Sequence, residues 1–291
     1  MTEKELVKNI LNKENLNAYK ITKATSGFTN IVYFADEFVI KISSDFQTME
    51  KLKKEVIVYK NLKLDCVPKY IASGEYNDLY YLIISKINGK GLFSIWHSLT
   101  KKQREDCIKQ IASILKQINA RDGSFLEKKY KMLDWKNLVL SNLEKNKSGL
   151  NSFNIDTSGI VVDETIFAQN KFGLVYNDAH FDNFIYDNGK IYLIDFDRVI
   201  YAPIDYEMMI FKTMCDYPKK FASEQDENVV FDEDFEFVYN TFKKYYGELF
   251  ILPDAEQRIK VYQFNYLCDQ ALKMKNREIG EGLARKLASE F

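Results

Sequence analysis

The segment from Val175 to Arg198, VYNDAHFDNFIYDNGKIYLIDFDR, sets Asp178, Asp182, Asp187, Asp195 and Asp197 among strongly apolar residues. Burying an unpaired carboxylate is costly. Such acids therefore either end strands in water or gather around something positive. Asn188-Gly189 is a dipeptide that reverses hairpins, so "NFIYD" folds back on "KIYLIDF". The loop "NDAHFDN" and the end of "LIDF" then face each other, with Asp178 and Asn183 on one side and Asp195 on the other. An amide with two carboxylates is an oxygen-donor set suited to Mg²⁺, an ion that keeps several waters and binds phosphates.

Elements must position these groups. Residues 30–35, 38–42 and 79–87 read as strands, rich in aromatic and β-branched residues and bounded by turns. Asp36-Glu37 suits a hairpin turn, and Pro68 opens a further strand. Between them, Met49, Leu52, Val56 and Tyr59 recur at helical spacing over 47–62. The character changes after "NGKG" at 88–91. Thr100 and Gln103 form a capping-box pair ahead of Ile108, Ile111, Leu115 and Ile118 on one helical face. The stretches VYQFNYLCDQALKM and IGEGLARKLASEF also read as helices. Strand signals in this second part are confined to 172–177, 183–187 and 190–196, and residues 121–171 carry no clear pattern. The expectation is an α+β chain of two lobes joined near Gly89–Gly91: residues 1–88 as an antiparallel sheet with one main helix, residues 89–291 mostly helical.

Composition narrows the classes. Apolar residues make up 46% of 291, enough to build a core, and no run of 18 apolar residues offers a spanning helix. The N-terminus lacks a signal-peptide core and reads as an amphipathic helix, with Thr2 and Glu5 as a capping box and Val7, Ile10 and Leu11 on one face. Cys66, Cys107, Cys215 and Cys268 lie far apart, without zinc-ligand spacing, as free thiols of a reducing cytoplasm would. Only His97 and His180 could add imidazole ligands to a transition metal. Net charge is −1, with 27 Lys/Arg against 20 Asp/Glu over residues 1–172 and 14 against 22 over residues 173–291. No concentrated basic face suits nucleic acid. A cytoplasmic protein with neither membrane nor nucleic-acid partner is expected; its oligomeric state is not legible.

Taken in order, these features resemble the aminoglycoside phosphotransferase and choline kinase-like family, which has the protein-kinase-like fold. The catalytic-loop pattern D-x-H-x-x-N stands as "DAHFDN", and "LIDF" brings Asp195 twelve residues after Asn183. "SGFTNIVYF" resembles the family's nucleotide loop, "FVIKIS" places Lys41 on the third strand, and Glu55 falls where the paired helix glutamate is expected. "YYLIISKINGKGL" resembles the hinge, and "PIDYEMMIF" the stretch after the metal aspartate. The resemblance implies phosphoryl transfer from ATP or GTP with Mg²⁺, where the protein supplies positioning and charge compensation. By the same resemblance Asp178 prepares the attacking hydroxyl, and Asn183 and Asp195 hold Mg²⁺. Ser26, Gly27, Thr29, Asn30, Lys41, Glu55, Ser85 and Ile87 attend the nucleotide. Three positions depart from the family: Tyr176 and Asn177 replace its histidine and glycine, and Asp197 replaces a glycine.

The acceptor belongs to the second lobe in this family. Residues 221–242 carry seven acids and no base. Glu224, Asp226, Asp232, Glu233 and Glu236, with Asp182 and Asp205, are candidate contacts for a cationic, hydroxyl-bearing small molecule, an aminoglycoside first. Tyr201, Tyr206, Trp135 and Tyr262 are candidates for stacking on it. The alternatives are a kinase for choline, ethanolamine or a metabolite sugar, and a catalytically silent kinase-like scaffold. A protein kinase fits less well, because no A-P-E ending follows Asp195.

Overall fold

The structure is a computed structural model and describes residues 2–24, 30–274 and 277–290. Helix α1 (Glu3–Lys13) starts at the expected capping box, where Thr2 and Glu5 bond reciprocally. Strands β1 (Ile21–Lys23), β2 (Ile31–Ala35), β3 (Phe38–Ile42), β4 (Tyr70–Tyr76) and β5 (Leu79–Ser85) form one sheet in the order β1-β2-β3-β5-β4. Every pairing is antiparallel. The turn between β2 and β3 holds Asp36 at φ 48, a left-handed conformation that aspartate tolerates better than most residues. Helix α2 (Phe46–Asn61) connects β3 to β4 and is capped by Asp45 with Thr48.

The sheet buries its two faces differently. Ile40, Ile42, Tyr81 and Ile83 pack with Val7, Ile10 and Leu11 of α1. Leu82 and Ile84 pack instead with Leu52, Val56 and Tyr59 of α2. Side chains alternate along a strand. Lys41, directly opposite Leu82, therefore points toward α2.

The second lobe begins with β6 (Lys90–Gly91), α3 (Leu92–Trp96) and α4 (Lys101–Asn119), the last starting at the expected Thr100/Gln103 capping box. The stretch that gave no pattern contains α5 (Trp135–Asn151). Its buried positions, Trp135, Val139, Leu143, Asn146 and Leu150, keep helical spacing, but polar residues fill the rest. Then follow β7 (Phe172–Val175), β8 (Phe184–Asp187), β9 (Lys190–Leu193) and β10 (Ile200–Pro203). Two of these pairings were not foreseen: β7 pairs with β10, and β6 adds a strand beside β8 and β9. Gly89, just ahead of β6, is exposed but lies close on β8; a Cβ there would stand 2.6 Å from the Tyr186 carbonyl oxygen.

Helices α6 (Met208–Asp216), α7 (Val238–Tyr245), α8 (Gly247–Phe250), α9 (Ala255–Leu272) and α10 (Arg277–Glu290) complete the chain. The largest core runs through both lobes, joining Val56 and Tyr59 of α2 to Phe184, Leu193, Phe196, Met208 and Phe211. No helix among the described residues is long and apolar enough to cross a membrane.

Candidate active site

The hairpin carries the site. Asn188 at φ 49 and Gly189 at φ 89 make the turn, and Phe184 pairs with Leu193 at its open end. Beyond that pair, the Ile194 amide donates to the Asn183 carbonyl at 3.0 Å, so the two flanking loops run together. Asn183 Nδ2 donates to the backbone oxygen and to Oδ2 of Asp178, each at 2.9 Å. His180 Nε2 lies 3.5 Å from the same Oδ2, and Arg198 Nη1 lies 3.1 Å from Oδ1. Burial pushes the Asp178 carboxyl upward, but His180, Arg198 and Asn183 outweigh it and hold its pKa below the usual aspartate value.

Two buried carboxylates organise the backbone around Asp178 and Asp195. Glu207, wholly enclosed, accepts the amides of Tyr176 at 2.7 Å and Asn177 at 3.1 Å. Glu55 Oε1 accepts the Phe196 amide at 3.2 Å and Lys41 Nζ at 2.7 Å. Lys41 also reaches Asp195 Oδ1 at 3.1 Å. Burial works against the charge on Lys41, yet Asp195 and Glu55 raise its pKa well above the ordinary lysine value. Glu55 is raised by burial, with Lys41 opposing.

The departures from the family pattern have local accounts. Tyr176 sends its hydroxyl to the Ile194 carbonyl at 2.6 Å, tying the start of the 176–183 loop to the strand end before Asp195. The Phe196 ring stands edge-on between Tyr59 and Tyr176, at 5.0 and 5.5 Å. Asn177 sits at φ 61, the left-handed region that glycine enters freely and asparagine tolerates. Asp195 is at φ 63 as well. Asp197 lies half-buried; burial and the neighbouring Asp195 raise its pKa.

Other expected residues fall variously. Ser26, Gly27 and Thr29 lie outside the described residues. Asn30 is half-buried, and its Oδ1 has no hydrogen-bond partner among the described residues. The Ser85 amide donates to the Lys69 carbonyl at 2.9 Å and its hydroxyl oxygen accepts the Lys69 amide at 2.8 Å; Ile87 follows, half-buried. Asp205 is a correction. It is fully enclosed and meets Arg258 Nε at 2.6 Å and Tyr262 Oη at 3.3 Å, so it presents no face to a substrate. Trp135 and Tyr262 are likewise core, packed on each other at 6.2 Å.

The acidic run is not one rim. Phe235 and Val238 anchor it in the core, Asp234 pairs with Arg104, and Glu224, Asp232, Glu233 and Glu236 are exposed. Phe221, at the start of the run, packs on His180 at 5.5 Å, and Asp226 acts through its field on Asp182. Burial lifts the Asp182 carboxyl to about 6, with His180 opposing and Asp226 adding to the rise. Sequence reasoning missed Arg198 and Glu207. The only signals were an arginine three residues after Asp195 and a second acid in "PIDYEMM".

A small antiparallel sheet with one paired helix, a helical second lobe, and a lysine–glutamate pair facing a loop and a hairpin end define a protein-kinase-like two-lobe protein. The chain belongs to the phosphotransferase enzyme family (APH), whose model matches residues 20–236. No curated protein matches it. Among solved structures it is similar to APH(2'')-IIa in its ternary complex with streptomycin and ATP, at 17% identity and TM-score 0.70 over 99% of this chain and 97% of that one. A choline/ethanolamine kinase family protein from Mesorhizobium loti gives 11% identity and TM-score 0.60 over 93% and 87%. Macrolide 2'-phosphotransferase MphH from Brachybacterium faecium gives 11% and 0.58 over 97% and 98%. At such identities the likeness is one of fold.

Proposed function

We propose that the chain is a Mg²⁺-dependent O-phosphotransferase moving the γ-phosphate of ATP or GTP to a hydroxyl of a cationic small molecule, an aminoglycoside foremost. Residues 1–88 carry the nucleotide, and residues 89–291 carry the catalytic loop and the acceptor. The supporting observation is that Lys41 bonds Glu55 and Asp195, Asn183 bonds Asp178, and the Ile194–Asn183 backbone bond sets the two groups side by side. Lys41 binds the α- and β-phosphates and is oriented by Glu55. By the family resemblance Ser26, Gly27, Thr29 and Asn30 serve the phosphates, and backbone groups near Ser85 and Ile87 the base.

The donor set fits Mg²⁺. Asn183 turns Nδ2 toward Asp178, leaving Oδ1 for an ion, and the Asp195 side chain is 43% exposed. Both supply hard oxygens. When bound, the ion neutralises charge on the phosphates. Asp178, ionised at neutral pH, takes the proton of the acceptor hydroxyl. The hydroxyl oxygen bonds to the γ-phosphorus as the bond to the β–γ bridging oxygen breaks, and the nucleoside diphosphate leaves with that electron pair. Oδ2 of Asp178 accepts from Asn183 and Oδ1 from Arg198, so the acceptor hydroxyl reaches Oδ1 as the exposed arginine moves aside.

A cationic acceptor is supported by Asp182 and Asp226. The two carboxylates repel each other in a partly buried setting beside the catalytic loop. An amine placed between them relieves that repulsion. Glu224, Asp232, Glu233 and Glu236 form an outer field that draws polycations. The test is phosphate transfer from γ-labelled ATP and GTP, with Mg²⁺, to a panel of aminoglycosides, choline, ethanolamine and sugars. Labelled aminoglycoside is expected. Label only on choline, ethanolamine or a sugar would move the acceptor. No transfer to any of them, with Asp178→Ala biologically silent, would make the chain a scaffold.

A further inference from the structure

Helix α2 holds a second charged group that phosphoryl transfer does not call upon. Lys54 is 7% exposed, and its Nζ donates to the Val199 carbonyl at 3.1 Å. The same ammonium stands 4.8 Å from the centre of the Tyr130 ring. Asp197 and Glu55 act on it only through their fields, and burial lowers its pKa to about 8. A buried ammonium held by one carbonyl and one aromatic face is costly, and an apolar side chain of similar length would fill the space at less expense. What the ammonium adds is a directed grip on Val199.

That grip has a counterpart next door. Glu55 accepts the Phe196 amide, so neighbouring residues of α2 hold the segment after Asp195 at both its near and far ends. The far end is further fixed from the second lobe. Lys131 bridges Tyr201, the Met132 amide donates to the Tyr201 carbonyl at 2.8 Å, and Lys129 reaches Glu50 of α2 at 3.1 Å. The stretch 128–132 thus spans α2 and β10, with Tyr130 set against Lys54.

We propose that Lys54 is a positioning residue: by reaching across the lobe junction to Val199, it keeps residues 195–199 on α2 and so sets the Asp195 carboxylate for the nucleotide-bound metal. This rests on the phosphotransferase reading but not on the acceptor. The experiment therefore uses the full chain without acceptor. Mg²⁺ half-saturation of ATP hydrolysis and of ATP binding is measured for the parent, Lys54→Met, Lys54→Arg and Tyr130→Leu. Hydrogen exchange of the peptide covering 194–201 is followed in parallel.

Lys54→Met is expected to lower kcat by roughly 10- to 100-fold, the scale of an ångström-level misplacement. Its Mg²⁺ half-saturation should rise several-fold, ATP affinity at saturating Mg²⁺ should change little, and the 194–201 peptide should exchange faster. Lys54→Arg should restore most of each effect, and Tyr130→Leu should shift each in the same direction by less. Should Lys54→Met fail to fold, Tyr130→Leu decides. Unchanged Mg²⁺ half-saturation and exchange in the folded variants would overturn the proposal. A parent that binds no Mg²⁺-nucleotide would instead defeat the phosphotransferase reading, and the exchange rates would still decide the grip of Lys54.

Discussion

Replacing Arg258 by Met should remove much of the stability of the second lobe. Arg258 Nε meets Asp205 Oδ2 at 2.6 Å, with both side chains at 0% exposure. Its Nη1 also donates to the carbonyls of Ile166 at 2.7 Å and Pro253 at 2.5 Å. Losing the guanidinium strands a buried carboxylate, which typically costs about 3–5 kcal/mol. Two carbonyls lose a partner at roughly 1 kcal/mol each. Asp205 has an escape: burial already raises its pKa against the pull of Arg258, so without Arg258 it takes up a proton. That relief keeps the expected loss nearer 3–5 than 5–7 kcal/mol, on the order of half of what a typical domain holds. Urea unfolding followed by tryptophan fluorescence measures it, because Trp135 packs on Tyr262, whose hydroxyl bonds Asp205. The double variant Asp205→Leu/Arg258→Met should recover a large part, since apolar replacements of buried ion pairs are often neutral or better. Asp205→Asn should leave the acceptor KM within two-fold while lowering the urea midpoint. A ten-fold rise in acceptor KM with an unchanged midpoint would refute the assignment of Asp205 to the core.

Further outcomes follow from the same geometry. Asp178→Asn should retain Mg²⁺-nucleotide binding by calorimetry but lose about 10²–10⁴-fold in transfer rate, the range of general-base catalysis; a smaller loss would point to another base. Asp182→Asn and Asp226→Asn should each raise the KM of a cationic acceptor several-fold, leave nucleotide KM alone, and spare a neutral sugar acceptor; equal effects on both acceptors would remove the acid pair from recognition. Tyr176→Phe keeps the ring against Phe196 but frees the Ile194 carbonyl, and should cost about 1 kcal/mol in chemical unfolding; no measurable change would mean the hydroxyl is idle.

What could be read from the sequence was what local spacing controls. Asn188-Gly189 makes a hairpin, and the hairpin brings the segments carrying Asn183 and Asp195 side by side, with Asp178 bonded to Asn183. Lys41 and Glu55 were legible only through the family resemblance; in the fold, strand alternation aims Lys41 toward α2, where Glu55 meets it at 2.7 Å. What escaped depends on pairings between distant residues. In "PIDYEMM" two acids lie two residues apart and both are buried, yet one meets Arg258 and the other meets the amides of Tyr176 and Asn177. Nothing local says which is which. Lys54 looks like any solvated helix lysine until Val199 and Tyr130 close over it. The run from 221 to 242 reads as uniformly acidic, but Phe235 and Val238 turn it inward, and Asp226 acts through its field on Asp182. Strand β10 hid because it is four residues ending in proline, paired to a strand some thirty residues earlier.

The connector between the lobes has a mechanical consequence. Lys90 and Gly91 pair with Tyr186 and Ile185, and β8 starts directly after Asn183. Gly89 lies flush against that strand, with no room for even a methyl group. The crossing chain is thus bolted to β8, and any pivoting of the upper lobe has to occur ahead of Gly89. A tug on the hinge reaches Asn183 through two rungs of backbone, without relying on any side chain to relay it.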